Sequence, residues 1–221
     1  MANNYYDATG VLVLDQVTPV ITALFGGMKL DASYPGNGEA YIAQIAEDSG
    51  AHWDDICEDL VALAESLGLS VSSEGTPTMD DVLGVLSRHF GTDQDEDLQH
   101  LIEHHRFEDD SDLDALFLIA TQLDDGHGLK EIRFEGCWYC SKPRLFNFGG
   151  DGSFISREFS VFGASGQVLD LGNRIRQALL IQDLEAAANL FARETQRLLA
   201  GIADETQRQQ LQRRLSELLR G

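Results

Sequence analysis

His100, Glu103 and His104 match the His-x-x-Glu-His spacing of one class of zinc protease. In such a site two histidines one helical turn apart bind the metal, and the glutamate between them acts as the base. On a helix, however, Leu98 and Leu101 belong to the apolar face, so the two histidines and the glutamate fall on the opposite side. The spacing therefore favours a solvent-facing helix surface over a shielded catalytic zinc. A metal-dependent hydrolase stays as the alternative.

A metal-binding stripe is the second interpretation of the same segment. Asp97, His100 and His104 stand at positions i, i+3 and i+7, so a helix projects all three from one side. Imidazole and carboxylate groups bind transition-metal ions, and histidines beside carboxylates titrate between about pH 5 and 7. We predict a surface site for a metal ion at these three residues. The sequence predicts no catalytic residue and no cofactor.

Cys137-Trp-Tyr-Cys140 has the spacing of a redox motif or of half a zinc site. A redox motif opens a helix, whereas these residues continue a run typical of a β-strand. The two cysteines would then point to opposite faces of the strand. Cys57 is the other cysteine of the chain, so a four-cysteine zinc site is excluded. Strand packing is favoured, and a redox protein stays as an alternative.

Two stretches of alternating aspartates, residues 93–97 and 110–114, open like calcium-binding loops. The first has Leu98 where such a loop needs a glycine for its sharp turn, and His104 where it needs a bidentate glutamate. The second has Thr121 at that last position. Both stretches are better interpreted as N-caps of helices.

Gly149-Gly-Asp-Gly152 offers a glycine-rich loop that could cradle a phosphate. It lacks the lysine and the strand-to-helix context of a phosphate-binding loop. Because the glycines lie between two aromatic-rich runs, we predict a tight hairpin turn here.

The charge of the chain is distributed very unevenly. Residues 1–127 contain 26 Asp and Glu but three Lys and Arg, a net charge of −23, whereas residues 128–221 carry +2. A surface this negative repels the phosphate backbone, so direct nucleic-acid binding by the N-terminal half is excluded. The predicted acidic binding face consists of Asp93, Asp95, Glu96, Glu103, Glu108 and Asp109.

Arginines accumulate in the last helices of the sequence. They are Arg193, Arg197, Arg208, Arg213, Arg214 and Arg220. Such a row could face phosphate. The simpler interpretation is a solvated helix surface interspersed with Glu194, Glu205 and Glu217, or an intramolecular counterpart to the acidic half.

Hydrophobic periodicity predicts an α+β protein whose first 75 residues alternate strands and helices. The expected order is strand, helix, strand, strand, helix, strand, at residues 10–15, 17–25, 28–31, 39–45, 53–67 and 69–72. This βαββαβ order is typical of a ferredoxin-like unit.

Composition divides the chain into three predicted parts. Residues 1–75 form the small α+β unit, and residues 76–127 form an acidic helical segment with helices at 79–89, 96–105 and 113–123. Residues 128–221 combine an antiparallel β-hairpin or meander with a layer of helices.

Several signals bear on the compartment. The first residues show neither the basic nor the apolar region of a secretory signal, and the longest apolar run, residues 115–120, is far too short for a membrane span. Three cysteines, an odd number, suit a reducing environment better than a disulfide framework. We expect a cytoplasmic protein without membrane contact.

Charge and the lack of a convincing catalytic group together favour a non-enzymatic protein that engages a basic protein partner. Inhibitors, immunity proteins and nucleic-acid mimics use such surfaces because fixed carboxylates steer association. The alternatives are a metal-dependent hydrolase or redox protein, and a structural accessory protein that forms homodimers through its C-terminal helices.

Overall fold

A computed structural model describes residues 4–45, 51–71, 75–142 and 148–220. The protein is α+β, with a six-stranded antiparallel sheet in the order β2-β3-β1-β4-β5-β6. It divides into two compact units, residues 5–134 and the described residues from 135 onward with Asn4. The elements are β1 (Asn4–Val13), α1 (Pro19–Phe25), β2 (Asp31–Pro35), β3 (Glu39–Ile45), α2 (Trp53–Ser66), α3 (Met79–Phe90), α4 (Glu96–His104), α5 (Leu113–Gln122), β4 (Glu131–Cys140), β5 (Gly149–Ser156), β6 (Ser160–Ala164), α6 (Ser165–Leu180), α7 (Leu184–Ala200) and α8 (Glu205–Leu218).

Within residues 5–134, β1 is the strand on which the others are assembled. It pairs antiparallel with β3, so that Val13 lies opposite Glu39 and Asp7 opposite Ile45. Strand β2 pairs with the far side of β3. Because successive side chains of a strand point to opposite faces, Leu12 is fully buried while its neighbours Val11 and Val13 are partly exposed.

Strand β4 approaches the other side of β1 very closely. The Lys130 amide donates to the Val13 carbonyl over 2.8 Å. A Cβ on Gly10 would lie 2.6 Å from Cδ2 of Phe134, a separation that real Cβ atoms do not show. Gly10 is therefore required by the contact between these two strands.

The strand predicted at residues 69–72 is not formed at residues 69–71, and residue 72 lies outside the described residues. Helix α2 ends instead in a left-handed Gly68, with φ of 74°, and the Leu69 amide donates to the Ala64 carbonyl. This end satisfies the last helical carbonyls locally and turns the chain away. The place beside β1 is taken by β4, a longer strand that buries Ile132 and Phe134.

The helices of this unit begin and end near their predicted positions, and they supply most of the core. Helix α1 packs on α2, α2 on α3, and α4 on α5. The largest fully buried side chains include Trp53, Phe25, Leu24, Leu60, Leu86, Leu98, Leu116 and Ile119.

His127 holds the loop between α5 and β4 in place. Its ring is completely buried, with Nε2 3.0 Å from the Ala120 carbonyl and Nδ1 accepting the Leu129 amide at 2.9 Å. A neutral imidazole with its proton on Nε2 satisfies both contacts. The His127 carbonyl also accepts the Asp15 amide, 2.8 Å away, at the end of β1. One residue thus joins α5, β1 and the approach to β4.

Two aspartates of the same loop reinforce this connection. Asp125 accepts the Val20 amide at the start of α1, a helix whose own Thr18 provides no side-chain cap. Asp124 accepts the amides of Gly126 and Gly128, which holds the turn around His127. The Asp125 contact satisfies a partly buried amide at the start of a helix, and the Asp124 contacts hold an exposed turn.

Within residues 135–220, β5 and β6 pair antiparallel, with Asp151 opposite Ala164 and Ile155 opposite Ser160. The hairpin turn predicted at residues 149–152 is wrong, because these residues belong to β5. Their glycines serve a close approach instead, since a Cβ on Gly149 would collide with the Trp138 indole.

Helices α6, α7 and α8 form the helical layer predicted for residues 128–221. Helix α6 packs on α7, and α7 on α8. Few side chains of these helices are buried: Ala178, Ala187, Leu190 and Leu199. Helix α8 has no buried residue.

The part of the chain that the structure describes contains no helix with the length and apolar character needed to cross a bilayer.

Replacing His127 by leucine tests the role of this ring. The variant leaves the Ala120 carbonyl and the Leu129 amide unpaired in the interior, so we expect the free energy of unfolding to fall by about 2–4 kcal/mol. Urea denaturation measures it. His89→Leu, at an exposed position, is the control and should change stability by less than about 0.5 kcal/mol. Equal effects of the two variants would contradict the assigned role.

Candidate functional site

The described residues present one strongly acidic helical surface, which we call the acidic surface and define as the exposed carboxylates of α2, α3 and α4. Helix α2 carries five Asp and Glu and no Lys or Arg, and α4 carries three and none. Helix α3 adds Asp80 and Asp81 against Arg88, whose Nε donates to the Gly84 carbonyl. Residues 51–71 and 75–134 contain no Lys or Arg within salt-bridge distance of any of these carboxylates.

Part of this charge has a structural use at helix N-termini. Thr78 and Asp81 form a capping box at α3, in which the Thr78 amide and hydroxyl both donate to the Asp81 carboxylate. These bonds hold the pKa of Asp81 below its usual value. Asp95 caps α4 by accepting the Leu98 amide, as predicted from the sequence. Carboxylates in a first turn also complement the helix dipole.

The predicted acidic face falls on α4 and its flanking turns. Asp93 and Asp95 lie in the turn before α4, and Asp95 is used by the cap. Glu96 and Glu103 are exposed on α4, seven residues apart and so on one side of it. Two more exposed carboxylates, Glu108 and Asp109, lie in the connection from α4 to α5.

Sequence reasoning missed a groove between α2 and the beginning of α3, with a volume of about 840 Å³. Its apolar lining includes Trp53, Val61, Pro77, Met79 and Phe107. Four carboxylates also line it, those of Asp54, Glu58, Glu65 and Asp80, against a single cation, Arg106. The sequence contained part of this information. Apolar residues recur at helical spacing in residues 53–67, and Trp53 and Cys57 in this series stand next to carboxylates.

Residues 105–110 close one end of this groove. The Trp53 indole is 1% exposed and meets the rings of His105 and Phe107 edge-on, at centroid distances of 5.2 and 4.9 Å. The Trp53 amide donates to the Asp109 carbonyl, and His52 pairs with Asp110. The start of α2 is thereby fixed to the connection between α4 and α5.

The pKa of Cys57 depends on its burial and on the charges around the groove. Its thiol is half-buried, 3.6 Å from the Pro77 carbonyl. Burial raises the pKa of the Cys57 thiol, and the negative charges of Asp54, Asp81 and Glu58 raise it further. A raised thiol pKa makes a weak nucleophile at neutral pH, so this cysteine has the opposite of a catalytic environment.

The pKa of Asp80 is also raised, by partial burial and by the charge of Asp81. Asp80 is therefore harder to ionise than a free carboxyl, in part because Asp81 repels its negative charge. A cation placed there would relieve this repulsion.

The predicted metal stripe lies on the solvent side of α4. Asp97, His100 and His104 are exposed, the two imidazoles stack at a centroid distance of 4.2 Å, and His104 Nδ1 lies 3.0 Å from the His100 carbonyl. Among the described residues, no three His, Cys, Asp or Glu side chains are arranged to hold a metal ion. The structure does not bring these three residues together as a site, and the stripe stays a prediction.

Cys137 and Cys140 occupy β4 as the strand interpretation requires. Cys137 is exposed and Cys140 is buried, and both are free thiols. They point to opposite faces, which confirms the expected orientation for a strand.

Three of the six arginines predicted in the last helices pair with a glutamate of their own helix. Arg197 contacts Glu194, Arg208 contacts Glu205, and Arg214 contacts Glu217. These are the three glutamates that the solvated-surface interpretation named. A smaller groove between α6 and α7 is lined by Arg174 and Arg193 with amide side chains.

Comparison with models of protein families, with curated proteins and with solved structures finds no match to this chain.

The raised pKa of Cys57 can be tested by alkylation. In a Cys137→Ser/Cys140→Ser background, replacing Asp54 by Asn and Glu58 by Gln removes two of the charges that oppose thiolate formation. We expect the thiol pKa to fall and iodoacetamide to react roughly threefold faster at pH 8. Glu65→Gln is the matched control, since Glu65 does not contribute to this pKa shift. Equal acceleration by the control would contradict the local origin of the effect.

Proposed function

We propose that this chain is a non-enzymatic binding protein whose acidic surface engages a basic protein partner, in the manner of an inhibitor, an immunity protein or a nucleic-acid mimic. One observation carries the proposal: no carboxylate of α2, α3 or α4 has a Lys or Arg partner within residues 51–71 and 75–134. The charge on these helices is therefore displayed to solvent and is not neutralised by ion pairs with the Lys and Arg of these described residues.

Physical chemistry supports this use of the surface. Ten carboxylates on three helices repel one another and lower the stability of the unit at low ionic strength. Helix capping explains Asp81 and Asp95, but it does not explain exposed carboxylates in the body of a helix, such as Glu58 and Glu103. A basic partner would relieve the repulsion, and the field of the surface would accelerate its association.

The proposal is tested with a fluorescent oligolysine peptide as the probe. We expect binding that weakens at least about tenfold between 50 mM and 500 mM salt, because screening shortens the range of the field. Glu96→Lys/Glu103→Lys should weaken binding at low salt by about tenfold or more. Fluorescence anisotropy gives both affinities.

The control variant is Glu158→Lys/Glu185→Lys, which changes net charge equally at two exposed positions outside the acidic surface. We expect it to weaken binding much less. If both variants weaken binding of the peptide equally, the net charge of the chain and not the acidic surface explains the binding, and the proposal fails.

The C-terminal helices favour homodimer formation as a second candidate function. Exposed apolar side chains recur along all three helices, with Ile181 74% and Leu184 70% exposed. The others are Val168, Leu169, Leu179, Leu180, Phe191, Leu198, Leu211, Leu218 and Leu219. Exposed apolar side chains in such number favour association, so a second copy of the chain is a suitable cover.

Light scattering at several concentrations tests this candidate. We expect the wild-type chain to run as a dimer and Leu180→Glu/Phe191→Glu to run as a monomer, because charges at exposed apolar positions oppose association without disturbing the core. Gln196→Glu/Gln210→Glu adds the same charge at exposed polar positions and should leave the dimer intact. A monomeric wild type would exclude homodimers.

The strand order supports a refined version of the expected fold. We infer that β2-β3-β1-β4, with α1 after β1 and α2 after β3, is a ferredoxin-like arrangement whose last strand is β4. Helices α3, α4 and α5 are then an insertion between the second helix and the last strand. Free thiols at Cys57, Cys137 and Cys140 support the proposed cytoplasmic location.

A further inference from the structure

The groove between α2 and the beginning of α3 combines an apolar lining with a negative rim. Val61 and Pro77 are partly exposed and contribute apolar surface, and the buried Trp53 closes one end. Purely electrostatic binding of a basic chain needs only the rim. An apolar groove inside an acidic surface indicates that the occupant carries apolar side chains as well as positive charge.

The geometry of the rim sets the shape of the occupant. Asp54, Glu58 and Glu65 line the groove from α2 at positions i, i+4 and i+11, so they form one row along the helix. At 1.5 Å per residue this row extends about 16 Å. Asp80 stands at the start of α3 and also lines the groove. A helix of about three turns has the same length as the row.

Arg106 is the single cation among the lining residues, so the rim is strongly negative. Burial is the main cause of the raised pKa values of Cys57 and Asp80, and the charges of neighbouring carboxylates raise both further, in keeping with a negative potential within the groove. An acidic or neutral helix would add to this repulsion or leave it unrelieved. Charge complementarity therefore selects a basic occupant.

We propose that this groove binds an amphipathic helix of a basic partner protein, with apolar side chains against Val61 and Pro77 and with Lys or Arg side chains against the carboxylates of the rim. This inference rests on the proposed function and adds to it the class of segment that is recognised. Apolar residues of the occupant recur every three or four positions, as helix-in-groove recognition requires.

The experiment compares two peptides on the full-length chain. One is a peptide of about 14 residues made of Leu and Lys, with leucines at helical spacing, and the other is an oligolysine of equal net charge. Val61→Asp should tighten the oligolysine slightly, because it adds a negative charge, and should weaken the Leu/Lys peptide about tenfold, because it places that charge in the apolar lining.

A folding defect in Val61→Asp would also weaken binding, so two double charge-reversal variants at exposed positions provide an independent comparison. Glu58→Lys/Glu65→Lys alters the rim, and Glu96→Lys/Glu103→Lys is its matched control on α4. We expect the rim variant to weaken the Leu/Lys peptide at least about tenfold more than the control does, and both variants to weaken the oligolysine equally.

Alkylation of Cys57 provides a second readout with opposite signs. A Leu/Lys peptide seated in the groove should cover the thiol and slow its reaction with iodoacetamide in the Cys137→Ser/Cys140→Ser background. Oligolysine on the rim should lower the thiol pKa and speed the reaction. Acceleration by both peptides would overturn the groove proposal.

The outcomes separate the two proposals. If the rim and α4 variants weaken both peptides equally, the acidic surface still binds cations but the groove does not select a helix, and the inference is overturned. If neither variant weakens the binding of oligolysine, the proposed function is wrong, and the inference that rests on it fails as well. Tighter binding of spermine than of the Leu/Lys peptide would overturn the inference in favour of a small-cation site.

Discussion

The connection made by residues 124–130 is the constraint on which the first unit depends. It returns the chain from the acidic helices to the sheet, and it does so with buried hydrogen bonds and not with apolar contact alone. The His127 ring joins the end of α5 to the approach of β4, its carbonyl holds the end of β1, and Asp125 serves the start of α1. Buried polar groups of this kind accept few alternative partners, so the loop has one arrangement.

Because the loop at residues 124–130 stabilises the unit, its helices can carry an excess of negative charge. Helix α2 buries Ile56, Leu60, Leu63 and Ala64 on one side and exposes its carboxylates on the other. Burial of the apolar side is worth about 1.5–3 kcal/mol for each large side chain, which exceeds the repulsion between screened surface carboxylates. The core therefore keeps the unit folded in spite of the repulsion between its surface carboxylates. The proposed binding role uses that surface.

The groove arises from the same packing. Trp53 stands at the first position of α2, where the connection from α4 to α5 covers it with His105 and Phe107. His105 is itself fixed, because its two ring nitrogens contact the Phe107 amide and the Asp112 carboxylate. The aromatic end of the groove is thus held by packing and hydrogen bonds, whereas the carboxylates along α2 lie in solvent. Apolar surface beside hydrated charge is the composition that the proposed binding of a protein partner requires.

The sequence by itself determined the α+β class, the limits of most helices, the caps at Asp95 and Asp112 and the opposite orientations of Cys137 and Cys140, because periodicity, capping and strand alternation are local properties. Only the tertiary structure decided which strand lies beside β1, that residues 149–152 belong to a strand, and that Trp53, Met79 and Phe107 line one groove. Each of these depends on contacts between residues far apart in the chain. A short apolar run does not indicate which strand it pairs with. Residues 69–71 therefore resemble a strand in the sequence, although it is β4 that lies beside β1 in the structure.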